Sequence, residues 1–231
     1  MKTLGLLGGM SWESTAVYYR LLNERARERL GGQHSARLLI WSADFAPIAA
    51  MQAAGAWDEA ADVLVAAARG LEGAGAHGLM ICANTMHRMA PQIGAAVGIP
   101  LLHVADATAA AIRASQVRRP LLLGTRFTME QDFYRERLRG GGVEAVIPPA
   151  VDRERLHAMV FDELVQGRVE PASRAAFIDI VRRAAREQGA DGAILGCTEF
   201  GLLIGADDLA IPAFDTTQIH ARAGMDFALA D

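Results

Sequence analysis

Gly78-Leu79-Met80-Ile81-Cys82-Ala83-Asn84-Thr85 is a short apolar run closed by a cysteine and small polar residues. Asp191-Gly192-Ala193-Ile194-Leu195-Gly196-Cys197-Thr198-Glu199 repeats that pattern in the second half of the chain. Each run has the length of a strand and is bounded by turn-forming residues, which puts both cysteines at carboxyl strand ends. Outward from these runs the chain alternates. Further strands are expected at Thr3 to Leu7, Arg37 to Ser42, Pro100 to Val104, Pro120 to Gly124, Val143 to Ile147 and near Ile211 to Phe214. A helix near Trp12 to Leu30 has Ser11 as its N-cap. Others are expected at Trp57 to Glu72, Met86 to Ala96, Ala105 to Ser115, Met129 to Arg139, Arg153 to Gln166, Pro171 to Gln188 and Thr216 to Leu229. This α/β alternation predicts parallel sheets with helices on both faces.

The two halves are alike. Leu6-Leu7-Gly8 parallels Leu122-Leu123-Gly124, and Ile99-Pro100 parallels Ile211-Pro212. Gly8 to Cys82 spans 74 positions and Gly124 to Cys197 spans 73, so the cysteines read as matching repeat positions. The expectation is two similar open parallel-sheet domains, residues 1–105 with 215–231 and residues 106–214, related by a pseudo-twofold axis. Ligands in open α/β sheets bind beyond the carboxyl ends of strands. Cys82 and Cys197 are then expected to face one interdomain cleft from opposite sides. The alternative is a single larger α/β domain whose turns are similar because strand–turn–helix chemistry is similar.

Composition narrows the function classes. The chain of 231 residues is 52% hydrophobic and 22% charged, as in globular proteins. A net charge of −4 without a basic stripe argues against nucleic acid as a partner. The longest uncharged run, between Arg88 and Asp106, contains Pro91, Pro100 and two glycines and does not read as a membrane span. The apolar start, Met1 to Met10, is short and is followed by no small-residue cleavage site. A cytoplasmic protein with two free thiols is expected.

Two thiols on opposite faces of a carbon can invert it, one removing the α-proton as thiolate and the other returning a proton. The cofactor route to the same reaction, pyridoxal phosphate, needs a Schiff-base lysine. The only lysine is Lys2, at the start of the first strand and far from the carboxyl ends. No cofactor is therefore expected. No metal is expected either, because Cys82, His87 and Cys197 lack the spacing of a zinc site. Gly5-Leu6-Leu7-Gly8-Gly9-Met10-Ser11 lacks the dinucleotide and Walker spacings. A glycine turn before a helix N-terminus suits a substrate carboxylate, with Ser11 assisting.

Gly8-Gly9-Met10-Ser11-Trp12-Glu13-Ser14-Thr15, Cys82-Ala83-Asn84-Thr85-Met86-His87, Leu123-Gly124-Thr125-Arg126-Phe127-Thr128-Met129-Glu130 and Gly196-Cys197-Thr198-Glu199 together resemble the signatures of the aspartate/glutamate racemase family. The resemblance spans essentially the whole chain and is nearest to the aspartate racemase branch, which includes broad-specificity amino-acid racemases. It implies a cofactor-independent two-base racemase with two α/β domains, working as a homodimer on a small amino acid. Cys82 and Cys197 match the catalytic pair. Met10, Ser11, Asn84, Thr85, Thr125 and Thr198 match the segments that hold the substrate's carboxylate and amino groups. Glu199 stands where glutamate racemases carry a histidine. It either tunes Cys197 or caps the next helix.

Some positions depart from the family pattern. Gly-Met-Ser replaces the Asp-Ser-Gly of glutamate racemases after the first strand. The loop Asp44 to Ala54 holds no arginine, and no lysine follows Lys2, so the usual cations for a side-chain carboxylate are missing. Unpaired burial of that carboxylate is costly, which favours neutral or mixed amino acids. Gln52 would hydrogen-bond a neutral polar side chain, and Arg126 is an alternative source of charge. The rival readings are a cysteine-dependent cis–trans isomerase or decarboxylase of the same superfamily, and a non-catalytic amino-acid-binding protein. Trp12, Tyr18, Tyr19 and Leu22 read as one buried helix stripe, Arg182, Arg183 and Arg186 as a solvated face, and Asp106 and Asp215 as paired helix caps. His34, His77 and His103 have no partner legible in the sequence.

Overall fold

The computed structural model describes residues 1–230. The chain divides into two units, one of Met1–His103 with the C-terminal segment from His220, the other of Val104–Ile219. In the first unit the order is β1 (Leu4–Gly8), α1 (Trp12–Leu30), β2 (Leu38–Ser42), α2 (Phe45–Ala54), α3 (Trp57–Gly73), β3 (Gly78–Ile81), a 3-10 turn (Thr85–Met89), α4 (Ala90–Ala96) and β4 (Leu101–Leu102). Its four-stranded sheet is parallel, in the order β2-β1-β3-β4. The second unit follows with α5 (Val104–Arg113), β5 (Pro120–Leu123), α6 (Arg126–Glu130), α7 (Asp132–Gly140), α8 (Ala150–Ala158), α9 (Pro171–Gln188), β6 (Gly192–Leu195), α10 (Phe200–Leu203) and β7 (Ala213–Asp215). The last helix, α11 (Thr216–Leu229), begins in the second unit and ends in the first.

Successive strand residues point to opposite faces, and the core divides accordingly. Leu4, Leu6, Met80 and Cys82 join Tyr18 and Leu22 of α1 and Met225 of α11 in one apolar layer. Leu7, Leu79 and Ile81 join Ile48, Leu64 and Ile93 in the other. In the second unit Leu121, Leu123, Ala193 and Leu195 face Phe177 and Val181 of α9, while Leu122 and Ile194 face Ile112 and Leu138. Both sheets are thus covered on two faces, as the strand–helix alternation predicts. No helix among the described residues is long and apolar enough to cross a membrane.

Several expectations are corrected. Val143 to Ile147 forms no full strand. Val146 makes a single parallel bridge to Leu121, with the Leu122 and Val146 N–H groups donating to Val146 and Pro120 carbonyls at 2.8 and 2.9 Å. Pro148 and Pro149 follow at once and cannot extend a ladder. The sheet β5-β6-β7 with this bridge nevertheless repeats the strand order of the first unit. The supposed loop Asp44 to Ala54 is helix α2, capped by Asp44 Oδ1 accepting from the Ala46 N–H at 3.3 Å and closed by Gly55 at φ 72°. Its alanines favour the helix and Pro47 falls in the tolerant first turn.

Three expected helices are segmented. Pro91 restarts the chain as α4 after the 3-10 turn, Gln131 is extended between α6 and α7, and α8 passes into a π-turn (Met159–Glu163) and a 3-10 turn (Leu164–Gln166). On α1 the stripe is narrower than expected: Tyr18 and Leu22 are buried, but Trp12 and Tyr19 are 67% and 53% exposed. The buried line runs through Thr15, Tyr18, Leu22 and Ala26 at helical spacing, and residues 12 and 19 fall off it. Asp215 does cap α11, accepting from the Thr217 and Gln218 N–H groups at 2.9 and 3.2 Å. Asp106 instead stands within the first turn of α5 and pairs with Arg137 at 2.6 Å.

Candidate active site

In the first unit the candidate residues gather where the strands end. β1 runs into Gly9, whose φ of 84° and position against Ala43 exclude a side chain, a Cβ there falling 2.2 Å from the Ala43 nitrogen. Met10 and Ser11 follow, both buried. Ser11 caps α1, its hydroxyl accepting from the Ser14 N–H at 3.4 Å. Thr15 braces the turn by accepting from the Gly9 N–H at 2.8 Å and donating to the Ser11 carbonyl at 3.0 Å. β3 pairs beside β1, and the Cys82 N–H donates to the Leu7 carbonyl at 2.9 Å. Cys82, Asn84 and Thr85 are buried at this edge. Gln52 on α2 is also buried, its amide donating to Met86 Sδ at 2.8 Å. Lys2 lies at the opposite, amino end of β1, bonded to the Ala230 carbonyl.

In the second unit Thr125 follows β5, caps α6 and accepts from the Thr128 N–H at 3.3 Å. Cys197, Thr198 and Glu199 follow β6. One carboxylate oxygen of Glu199 takes two hydrogen bonds, from the Cys197 thiol at 2.9 Å and from the Thr198 hydroxyl at 2.7 Å. Glu199 makes no side-chain cap to α10.

The register separates the two cysteines by one residue. Leu7 faces Ile81 and Leu123 faces Leu195, so Cys82 lies beside Gly8 while Gly196 lies beside Gly124. The counterpart of Cys82 is therefore Gly196, and that of Cys197 is Ala83. A one-residue slip turns a strand side chain to the opposite face. Cys82 accordingly belongs to the α1/α11 layer of its unit, and Cys197 to the α9 layer of its own. Gly196 cannot carry a side chain, because a Cβ there would sit 2.7 Å from the Leu123 carbonyl oxygen. Gly124 to Gly196 spans 72 positions against 74 from Gly8 to Cys82, so the near-equal spacings of the cysteines conceal this slip.

The thiols also differ electrically. Cys82 is fully buried and its thiol makes no hydrogen bond among the described residues; burial alone pushes it far above the ordinary thiol range. Cys197 is raised first by burial, then by the charge of Glu199 and by the hydrogen bond it donates to that carboxylate.

One cluster carries no signature in the sequence. His87, His103 and His220 pack together, with ring centroids 4.6 Å apart in a tilted pair (His87–His103) and 5.7 Å apart edge-to-face (His87–His220). His87 Nδ1–H donates to the Ala83 carbonyl at 2.9 Å, pinning the turn that carries Cys82. His220 Nε2–H donates to the Leu102 carbonyl at 2.8 Å, which leaves Nδ1 to accept from the Tyr18 hydroxyl at 2.9 Å. Burial, together with the neighbouring imidazoles, lowers His87, and burial first of all lowers His220 to about 4. The sign follows from linkage: an unfolded histidine titrates near 6.5, so the neutral His220 stabilises the fold fully above pH ~6.5 and loses that contribution as pH falls to about 4. The whole contribution is about 3 kcal/mol. The stability difference between pH 7 and pH 4, read from urea titrations, should therefore narrow by up to that amount in His220→Gln; an unchanged difference contradicts the assignment.

A family model for Asp/Glu/hydantoin racemases matches residues 7–224. The chain belongs to this family. It is an isomerase of the racemase class, as the four motif blocks imply. A Yersinia pestis protein described as a candidate Asp/Glu racemase is 48% identical, with a TM-score of 0.91 and full coverage of both chains. An aspartate racemase homologue from Pyrococcus horikoshii is 33% identical, with a TM-score of 0.86, again over both full chains. The aspartate racemase of Picrophilus torridus, at 21% identity, shares the fold over 99% of this chain and 94% of its own, with a TM-score of 0.76.

Proposed function

We propose that this racemase interconverts L- and D-amino acids without a cofactor, with Cys82 and Cys197 as its two bases. The observation that carries the proposal is the Cys197–Glu199 contact of 2.9 Å at the carboxyl end of β6. The carboxylate favours the protonated thiol at rest, and it is within reach to take that proton when Cys197 acts as the base that removes the α-proton. Cys82, held protonated by its apolar surroundings, returns a proton to the other face of the carbon. The reverse direction exchanges the roles. The chemistry requires both thiols to reach one α-carbon, in the cleft expected between the domains. Ser11, Asn84, Thr85, Thr125 and Thr198 would hold the zwitterionic head group, beside Met10.

Substrate breadth follows from the missing cations. Gln52 offers an amide and no charge, so neutral and polar amino acids are the favoured substrates rather than aspartate alone. The working form in this reading is a cytoplasmic homodimer. The test is a panel of L- and D-amino acids, including aspartate, glutamate, methionine and homoserine, incubated with the protein and separated on a chiral column. Inversion of neutral members at rates above those of aspartate is expected. Inversion of aspartate alone overturns the breadth. No inversion of any member overturns the function and leaves the isomerase, decarboxylase and binding readings.

A further inference from the structure

Asp215 and Thr216 flank the Cys197 turn on two sides. β7 pairs with β6, Asp215 facing Leu195. The Thr216 hydroxyl donates to the Leu195 carbonyl at 2.7 Å, just before the thiol in sequence. Past the thiol, a Cβ on Gly201 would lie 3.5 Å from Asp215 Oδ2. Thr217 comes next. It is 2% exposed, and its Oγ1 has no hydrogen-bond partner among the described residues. Its N–H is already satisfied by Asp215. Buried hydroxyls are nearly always bonded, and a stranded one destabilises the site that holds it. Valine would fill the same volume with no such group. Thr217 also follows the carboxyl end of β7, the edge where α/β sheets take ligands.

We propose that Thr217 is a substrate-contact residue, its hydroxyl hydrogen-bonding a polar group of the amino acid that reacts at Cys197. The inference rests on the racemase reading and adds a contact to that site. A hydroxyl both donates and accepts, so it fits either the charged head group or a polar side chain.

Thr217→Val and Thr217→Ser separate this role from a structural one. For the fastest substrate, Thr217→Val should raise KM about tenfold with kcat within about twofold, and Thr217→Ser should restore KM. The free Thr217→Val protein should melt no lower than the parent, since no bond of the fold is lost. A KM rise for alanine as well as for polar amino acids places the contact at the head group; a rise for polar side chains alone places it there. An unchanged KM, or a melting point lowered by several degrees, overturns the proposal while leaving the racemase reading intact. Should the parent protein invert no amino acid, the racemase reading falls separately. Thermal shifts with added amino acids then decide the contact: a shift lost in Thr217→Val supports it, and equal or absent shifts in both proteins overturn it.

Discussion

Replacing either thiol, as Cys197→Ser or Cys82→Ala, should lower racemisation by about 10²- to 10⁴-fold, the range contributed by a positioned acid or base. The two losses should differ in kind. Each variant keeps one thiol, so Cys197→Ser should lose proton abstraction from one enantiomer and Cys82→Ala from the other, as α-proton exchange in D2O followed by NMR reports. Alanine is the better replacement at Cys82. That thiol sits among Leu4, Leu6, Met80 and Met225, and a serine hydroxyl would be stranded there. Near-native melting of both variants confines the loss to chemistry. A parental rate in either variant excludes the two-thiol mechanism. Loss in one variant alone favours the single-cysteine decarboxylase or isomerase chemistry.

Glu199→Gln is expected to cost about 10- to 100-fold in rate at neutral pH. Glu199 is a positioning residue that acts through Cys197. Its carboxylate raises the thiol in two ways, by like charge against the thiolate and by accepting the hydrogen bond that the thiol donates. Glutamine removes the charge and keeps an acceptor of similar reach. The pH at which Cys197 becomes reactive towards iodoacetamide should therefore move down, while turnover falls because an amide accepts a hydrogen bond but cannot take up the proton. Near-native melting of Glu199→Gln separates a tuned thiol from a damaged fold, since unfolding would also expose the thiol and lower both. A rate and an alkylation profile both like the parent's would remove Glu199 from the mechanism.

The strands were legible because each alternates between two apolar layers, and the Gly–Pro punctuation marks where they stop. Val146 shows the limit: its apolar run resembles a strand, but the following prolines hold it to one bridge. Helix α2 was hidden by Pro47, which disrupts helix interiors but is tolerated in a first turn. The cysteine turns were legible because their chemistry is local, Cys197 and Glu199 being two residues apart. Their one-residue slip was hidden by the near-equal spacings, because the second connection is two residues shorter, and only the pairing register shows that the thiols turn to opposite layers. The Tyr18–His220 bond joins residues 202 positions apart. No local pattern announces such a bond, and none announces the stranded hydroxyl of Thr217, which is a property of packing.

Isotope labelling tests the two-base claim most directly. An L-amino acid that the protein inverts is incubated in D2O to low conversion, and α-deuterium is measured in both enantiomers by chiral separation and mass spectrometry. Two thiols on opposite faces predict a D-product that carries deuterium from its first appearance and an L-pool that remains protiated. Protium retained in the product, or deuterium entering the L-pool as fast as product forms, would mean that one base serves both faces and would contradict the roles given to Cys82 and Cys197.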